Sequence, residues 1–277
     1  MAYISGGGGL LRDWLGPELS PSLSCLLFVG FLSPFVYAGA KMVDRINFVL
    51  MGGLIVSYLA FVALGLPSVK FSALKATDWN SSLIALPVIF TSFSYQGIIP
   101  SLTAYLKRDA RQVRIAIISG TSIAFLIYLL WEFLILGIVP FEGEFGLKQA
   151  MELEQTAVAP LRHHVESNSI PILGQAFAFF AIATSFLGVT LGLFDFLADG
   201  LSLPKKGIRR LFLGLLTFAP PTVIALFKPH LFISALIYAG GIGCALLLGF
   251  LPTLMVWIAR YGKQGHHGGP TQLSGGK

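Results

Sequence analysis

Seven apolar runs succeed one another along the chain, at about 22–40, 46–66, 83–106, 115–140, 169–198, 211–227 and 231–259. Each is near or above the roughly 17–25 residues that a helix needs to cross a bilayer. Short polar segments separate them, so the pattern predicts seven membrane-spanning helices. The opening, Ala2-Tyr3-Ile4-Ser5 followed by Gly6-Gly7-Gly8-Gly9, is too short and glycine-rich to span and reads as the end of something.

The run at 83–106 breaks its own pattern. Its centre reads Thr91-Ser92-Phe93-Ser94-Tyr95-Gln96-Gly97, followed by Pro100-Ser101. Gly97 permits non-helical dihedrals, Pro100 removes a backbone donor, and hydroxyl and amide side chains stand where a lipid-facing helix would carry leucine. Broken backbone at membrane depth is tolerated where it is buried in protein or lines a cavity, and discontinuous helices of this kind form substrate sites in secondary transporters. The residues alone leave a second reading open, a proline-kinked packing helix.

Between 174 and 199, small or polar residues recur at Gly174, Ala178, Ala181, Ser185, Gly188, Gly192, Asp195 and Asp199, in steps of three and four that share one helix face. Most of that stripe reads as close helix packing. Thr184 and Ser185 are different: adjacent hydroxyls near mid-membrane either bind a substrate or cation, or bond back to their own helix carbonyls. Asp195 and Asp199 lie near Lys205 and Lys206, where interfacial ion pairing is expected. Glu132 is an ionisable group inside a span, which makes it a functional candidate by default.

Composition fits this pattern. Charged residues make up 12% of the 277, against about 25% in soluble domains, and the mean hydropathy is +0.78. Cys25 and Cys244 both sit in apolar runs, which predicts buried free thiols. The net charge of +6 does not imply nucleic acid, because the basic residues fall in short loops between apolar runs. If the loops alternate sides, one set holds 13 of the 19 Lys and Arg residues: Lys41 and Arg45; Lys107, Arg108, Arg111 and Arg114; Lys205, Lys206, Arg209 and Arg210; Arg260, Lys263 and Lys277. That set is expected in the cytoplasm, with the tail 261–277. The long loop 141–168 carries Glu142, Glu144, Glu152, Glu154 and Glu166 against Lys148 and Arg162, and is expected outside. His266-His267, in a Gly-rich tail, reads as solvated and not as a metal site. No paired catalytic acids, Ser/His/Asp set or metal-ligand cluster marks an enzyme, and nothing calls for a cofactor.

The stretches Leu86–Ser101, Thr184–Asp199 and Leu216–Pro221 resemble the bacterial aromatic amino acid permeases, the tyrosine- and tryptophan-specific transporters of the hydroxy/aromatic amino acid permease family. Tyr128-x-x-Trp131 with Leu136-Gly137, Tyr238-Ala239-Gly240 and Ser274-Gly275-Gly276-Lys277 extend the resemblance over nearly the whole chain. It implies an all-α polytopic membrane fold with LeuT-like inverted repeats and about eleven spans. The implied function is secondary active import of an aromatic amino acid, tyrosine favoured, coupled to protons across the bacterial inner membrane. Carried over residue by residue, Thr91, Ser92, Phe93, Ser94, Tyr95, Gln96 and Gly97 would line the substrate pocket, and Thr184 and Ser185 would be the ion-coupling candidates. The family's first broken helix, its second span and most of its third have no counterpart here, nor does the last span, so the chain is expected to be a fragment truncated at both ends. Glu132 departs from the family pattern and takes no role from it. The competing expectation is a nontransporting membrane protein, a relic or a partner of a complete permease.

Overall fold

The computed structural model describes residues 1–16, 18–75, 79–96, 99–153, 155–227 and 238–261, and every regular element among them is helical. In chain order these are α1 (Ala2–Leu15), α2 (Pro21–Ala38), α3 (Ala40–Gly65), α4 (Trp79–Ser92), α5 (Ile99–Tyr105), α6 (Ala110–Ile138), the short α7 (Leu147–Glu152) and α8 (Leu161–His164), α9 (Ser169–Gly200) and α10 (Gly207–Phe227). A wide π-type stretch, Ala239–Phe250, then runs into α11 (Leu251–Tyr261). The chain forms two compact units, Met1–Ala76 with Leu130–Ile233, and Thr77–Leu129 with Ser234–Lys277.

Among the described residues, six helical segments are long and apolar enough to cross a membrane: Pro21–Ala38, Ala40–Ser68, Ala110–Ile138, Ser169–Gly200, Gly207–Phe227 and Gly241–Ile258. The seventh expected span is not one continuous helix, as its polar centre predicts. The run 83–106 divides into the 14-residue α4 and the 7-residue α5, neither of which reaches the length required. Residues 231–237 of the last apolar run, Lys263, Lys277 and His266-His267 lie outside the described residues, as do Glu154 and Gly97.

In the first unit α9 is the central element, packed against α3, α1, α2 and α10. Phe28, Val36, Ala183, Phe186 and Leu187 form its core on one side, and Phe61, Leu134, Val139, Leu161 and Ile170 a second cluster. Ser20 caps α2 by accepting the Leu23 N–H (3.2 Å), and Pro21 occupies the first turn, where its missing N–H costs nothing. Gly39, at φ 104°, then turns the chain directly into α3.

The glycine-rich opening, expected to be too short to span, is a 14-residue helix, below the length a crossing needs. Glycine disfavours helix by up to about 1 kcal/mol per residue, but here it permits contact. A Cβ on Gly7 would lie 2.4 Å from the Phe28 ring, and one on Gly8 would lie 2.6 Å from Cys25 Sγ and 2.9 Å from its main-chain nitrogen. The two helices touch backbone to backbone, as small-residue faces do in membranes.

Candidate functional site

In the second unit, α4 stops at Ser92 and α5 resumes at Ile99, and the described part of the break spends its polar groups in a defined way. The Phe93 N–H still bonds the Ile89 carbonyl (3.1 Å), but the Ser94 N–H turns to Thr91 (3.2 Å) and the Tyr95 N–H to Phe93 (3.0 Å). The Phe90 carbonyl therefore loses its helical donor. The Ser92 carbonyl receives the Tyr128 hydroxyl from α6 instead (3.2 Å), while the Tyr128 ring meets Phe93 edge-on at 5.5 Å between centroids.

The side chains of the break follow the same logic. Thr91, Ser92 and Ser94 donate their hydroxyl protons to the carbonyls of Pro87 (2.9 Å), Val88 (2.9 Å) and Thr91 (2.6 Å). Each hydroxyl oxygen then keeps lone pairs but no proton to give. The Tyr95 hydroxyl lies 2.5 Å from Thr121 Oγ1 of α6, and Thr121 already donates to Ile117 (2.7 Å), so Tyr95 is the donor in that pair. Gln96 Oε1 is buried without a partner. The π-type stretch packs on α4 close to Pro87, which is 3.3 Å from where a Cβ on Gly241 would stand.

The structure thus brings Thr91, Ser92, Phe93, Ser94 and Tyr95 together with Thr121 and Tyr128. Sequence reading found the first five, and used Tyr128 only as a point of resemblance. Thr121 was not singled out: it shares a short polar patch of α6 with Ser119 and Ser122, and its partner lies 26 residues away.

Thr184 and Ser185 belong to the first unit, on α9. Thr184 donates to the Ala181 carbonyl (3.0 Å), the back-bonding that the sequence left open, and Ser185 is half-buried. The small-residue stripe divides: Gly174 is packed under Phe61, Val158 and Leu161, whereas a Cβ on Gly188 or Gly192 would meet nothing within 4 Å. Asp195 pairs with Lys205 at 2.7 Å, the interfacial contact expected from their spacing. Glu132 is exposed on α6, beside Trp131, whose ring packs on Phe61 (5.2 Å) and Phe177 (4.9 Å). A contact that sequence reading missed joins Trp14 Nε1 to Gln175 Oε1 (3.0 Å) across 161 residues, with Gln175 almost fully buried.

The sequence profile of the tryptophan/tyrosine permease family matches residues 1–277. Tyrosine-specific transport system 1 of Haemophilus influenzae is 38% identical over 283 residues, covering 99% of this chain and 68% of that protein. The tryptophan-specific transport protein of Pseudomonas aeruginosa is 37% identical over 270 residues (94% and 64%), and that of Haemophilus influenzae 34% identical over 276 (94% and 66%). The chain therefore spans about two thirds of the length of these relatives. No solved structure matches it.

Proposed function

The chain belongs to the tryptophan/tyrosine permease family, and from that premise we propose that it serves as the substrate-binding part of a secondary transporter importing an aromatic amino acid, with tyrosine as substrate and protons as coupling ions. It is a multi-pass membrane protein of a transporter family and not an enzyme. The observation that carries the reading is the interrupted helix α4–α5, with its Ser92 carbonyl held by Tyr128.

An amino acid offers an ammonium group, a carboxylate and, here, an aromatic ring. The ammonium needs acceptors, and the hydroxyl oxygens of Thr91, Ser92 and Ser94, their protons committed to the main chain, are acceptors of that kind. The Phe90 carbonyl adds another. The ring needs an aromatic edge or face, worth about 0.5–1.5 kcal/mol beyond its area, and Phe93 with Tyr128 presents one. Gln96 and Gly97 complete the proposed substrate segment, Gly97 lying outside the described residues. Thr184, whose proton goes to Ala181, and Ser185 present oxygen atoms to a coupling cation. The fold we infer for the whole protein is the LeuT-like inverted repeat, in which half-helices bind substrate at the midplane.

Tyrosine is chosen because Phe90-Thr91-Ser92-Phe93 and Gly97-x-Ile99-Pro100-Ser101 resemble the tyrosine-specific members more closely. Uptake of radiolabelled tyrosine into proteoliposomes holding the complete transporter, of which this chain is the substrate-binding part, tests the proposal. Saturable uptake driven by an inward proton gradient, and inhibited more by tyrosine than by tryptophan, is expected. Stronger inhibition by tryptophan would reverse the substrate assignment, and dependence on sodium would replace the coupling ion. A folded protein that takes up neither amino acid would favour the nontransporting alternative.

A further inference from the structure

In the first unit a groove of about 510 Å³ runs between α2 and α10, lined by Pro34 and Tyr37 on one side and by Leu211, Leu215, Phe218 and Thr222 on the other. From Leu211 to Thr222 is 11 residues of helix, or roughly 16 Å, close to one leaflet of a hydrocarbon core about 30 Å thick. The lining is almost wholly apolar until its Tyr37 end, where it meets a guanidinium. Arg210 lies over the Tyr37 ring (4.9 Å) and donates through Nη2 to the Tyr37 carbonyl, while its Nε is buried without a partner.

The charge around that end is one-sided. Arg209 and Lys206 flank Arg210 on exposed positions, and the turn at Gly39, whose Cβ position is 3.6 Å from Arg210 Nη2, leads within two residues to Lys41. Lys205 is already neutralised by Asp195, and Asp44 on α3 is the acid next to Lys41 in sequence. We propose that this groove is a binding site for one anionic phospholipid. An acyl chain lies along Leu211, Leu215 and Phe218, and the phosphate sits at Arg210, Arg209 and Lys41. A phosphate oxygen would take the guanidinium donors that the Tyr37 carbonyl leaves over, since a guanidinium offers its donors in a fork that matches phosphate geometry. Basic pockets between membrane helices recognise anionic head groups in this way. The charge complementarity favours a lipid over a hydrophobic protein segment, which would bring no counter-charge to Arg210, Arg209 and Lys41.

The test is native mass spectrometry of the purified protein after exchange into equimolar phosphatidylglycerol and phosphatidylcholine. Retention of one phosphatidylglycerol per chain is expected, with a preference of about fivefold for each basic residue engaged. Arg209→Gln with Arg210→Gln should cut the preference to about the fivefold that Lys41 alone supports. Ala219→Trp, which fills the groove without touching the charges, should lower retention of both lipids. Equal retention of the two lipids by the unmodified protein, or a preference untouched by the paired Arg substitutions, would overturn the proposal. Leu215→Cys in a Cys244→Ser background, carrying a benzophenone, should photolabel lipid. An adduct with a second copy, or with another part of the same polypeptide, would instead assign the groove to protein and overturn it as well.

Discussion

The Tyr128 hydroxyl, one helix away, donates to the main-chain carbonyl of Ser92 at 3.2 Å, the carbonyl that an uninterrupted α4 would have bonded to the Gln96 N–H. A side chain thus replaces a lost rung of backbone hydrogen bonding, which a break at membrane depth requires. Tyr128→Phe keeps the edge-on contact with Phe93 and removes only that bond. A net hydrogen bond is worth about 0.5–1.5 kcal/mol, so tyrosine uptake is expected to fall roughly two- to tenfold, with the amount of protein in the membrane unchanged. Unaltered uptake would separate Tyr128 from the site.

Asp109 begins α6 by a different device. Its Oδ1 accepts the N–H groups of Arg111 (2.9 Å) and Gln112 (3.2 Å), and Oδ2 the Gln112 side chain (3.0 Å). These bonds, that of the Gln112 N–H first, hold the carboxyl below its usual range despite a smaller opposing effect of desolvation. A folded-state value below the unfolded one means that the cap contributes stability above the ordinary Asp pKa of about 3.9, and loses it as pH falls through the folded value. Asp109→Asn, which keeps an acceptor without the charge, should flatten that part of the pH dependence. Melting temperatures taken above and below that pKa provide the comparison; identical pH profiles for the two proteins would refute the cap's electrostatic role.

What could be read from the chain was what depends on neighbours in sequence. Pro100, Gly97 and the hydroxyl run announced the interruption of 83–106, and the ten-residue spacing of Asp195 and Lys205 their ion pair. What could not be read depends on partners distant in sequence: Tyr128 on Ser92, Thr121 on Tyr95, Trp14 on Gln175. Helix α1 was hidden for another reason, since four consecutive glycines argue against a helix on propensity and only the proximity of Cys25 and Phe28 shows their use. The π-type stretch 239–250 had no signal in its apolar pattern, because a wider helix is built from the same residue types.

Gly8 and Gly9 offer a paired test of that packing. A Cβ on Gly8 would collide with Cys25, backbone included, whereas one on exposed Gly9 meets nothing within 4 Å. Gly8→Ala is expected to destabilise the detergent-purified protein by about 1–3 kcal/mol through overpacking. Gly9→Ala should leave it unchanged or raise its stability by up to about 1 kcal/mol, the helix-propensity gain. Thermal melts of the two variants side by side decide the matter, and equal shifts would mean that α1 does not dock on α2 through Gly8.

The last prediction concerns sidedness. Glu152, at the end of α7, and Lys206, just before α10, are both exposed and are separated by the long helix α9. Acidic residues dominate the segment carrying the first and basic residues the segment carrying the second, and basic loops are retained in the cytoplasm. Single cysteines at Glu152 and Lys206, in a Cys244→Ser background with Cys25 buried beneath Gly8, should therefore differ in right-side-out vesicles. An impermeant maleimide is expected to label the Glu152→Cys protein and to reach Lys206→Cys only after permeabilisation. Equal labelling of both from one side would mean that α9 does not cross the bilayer, and the span assignment from its 32 apolar-rich residues would fail with it.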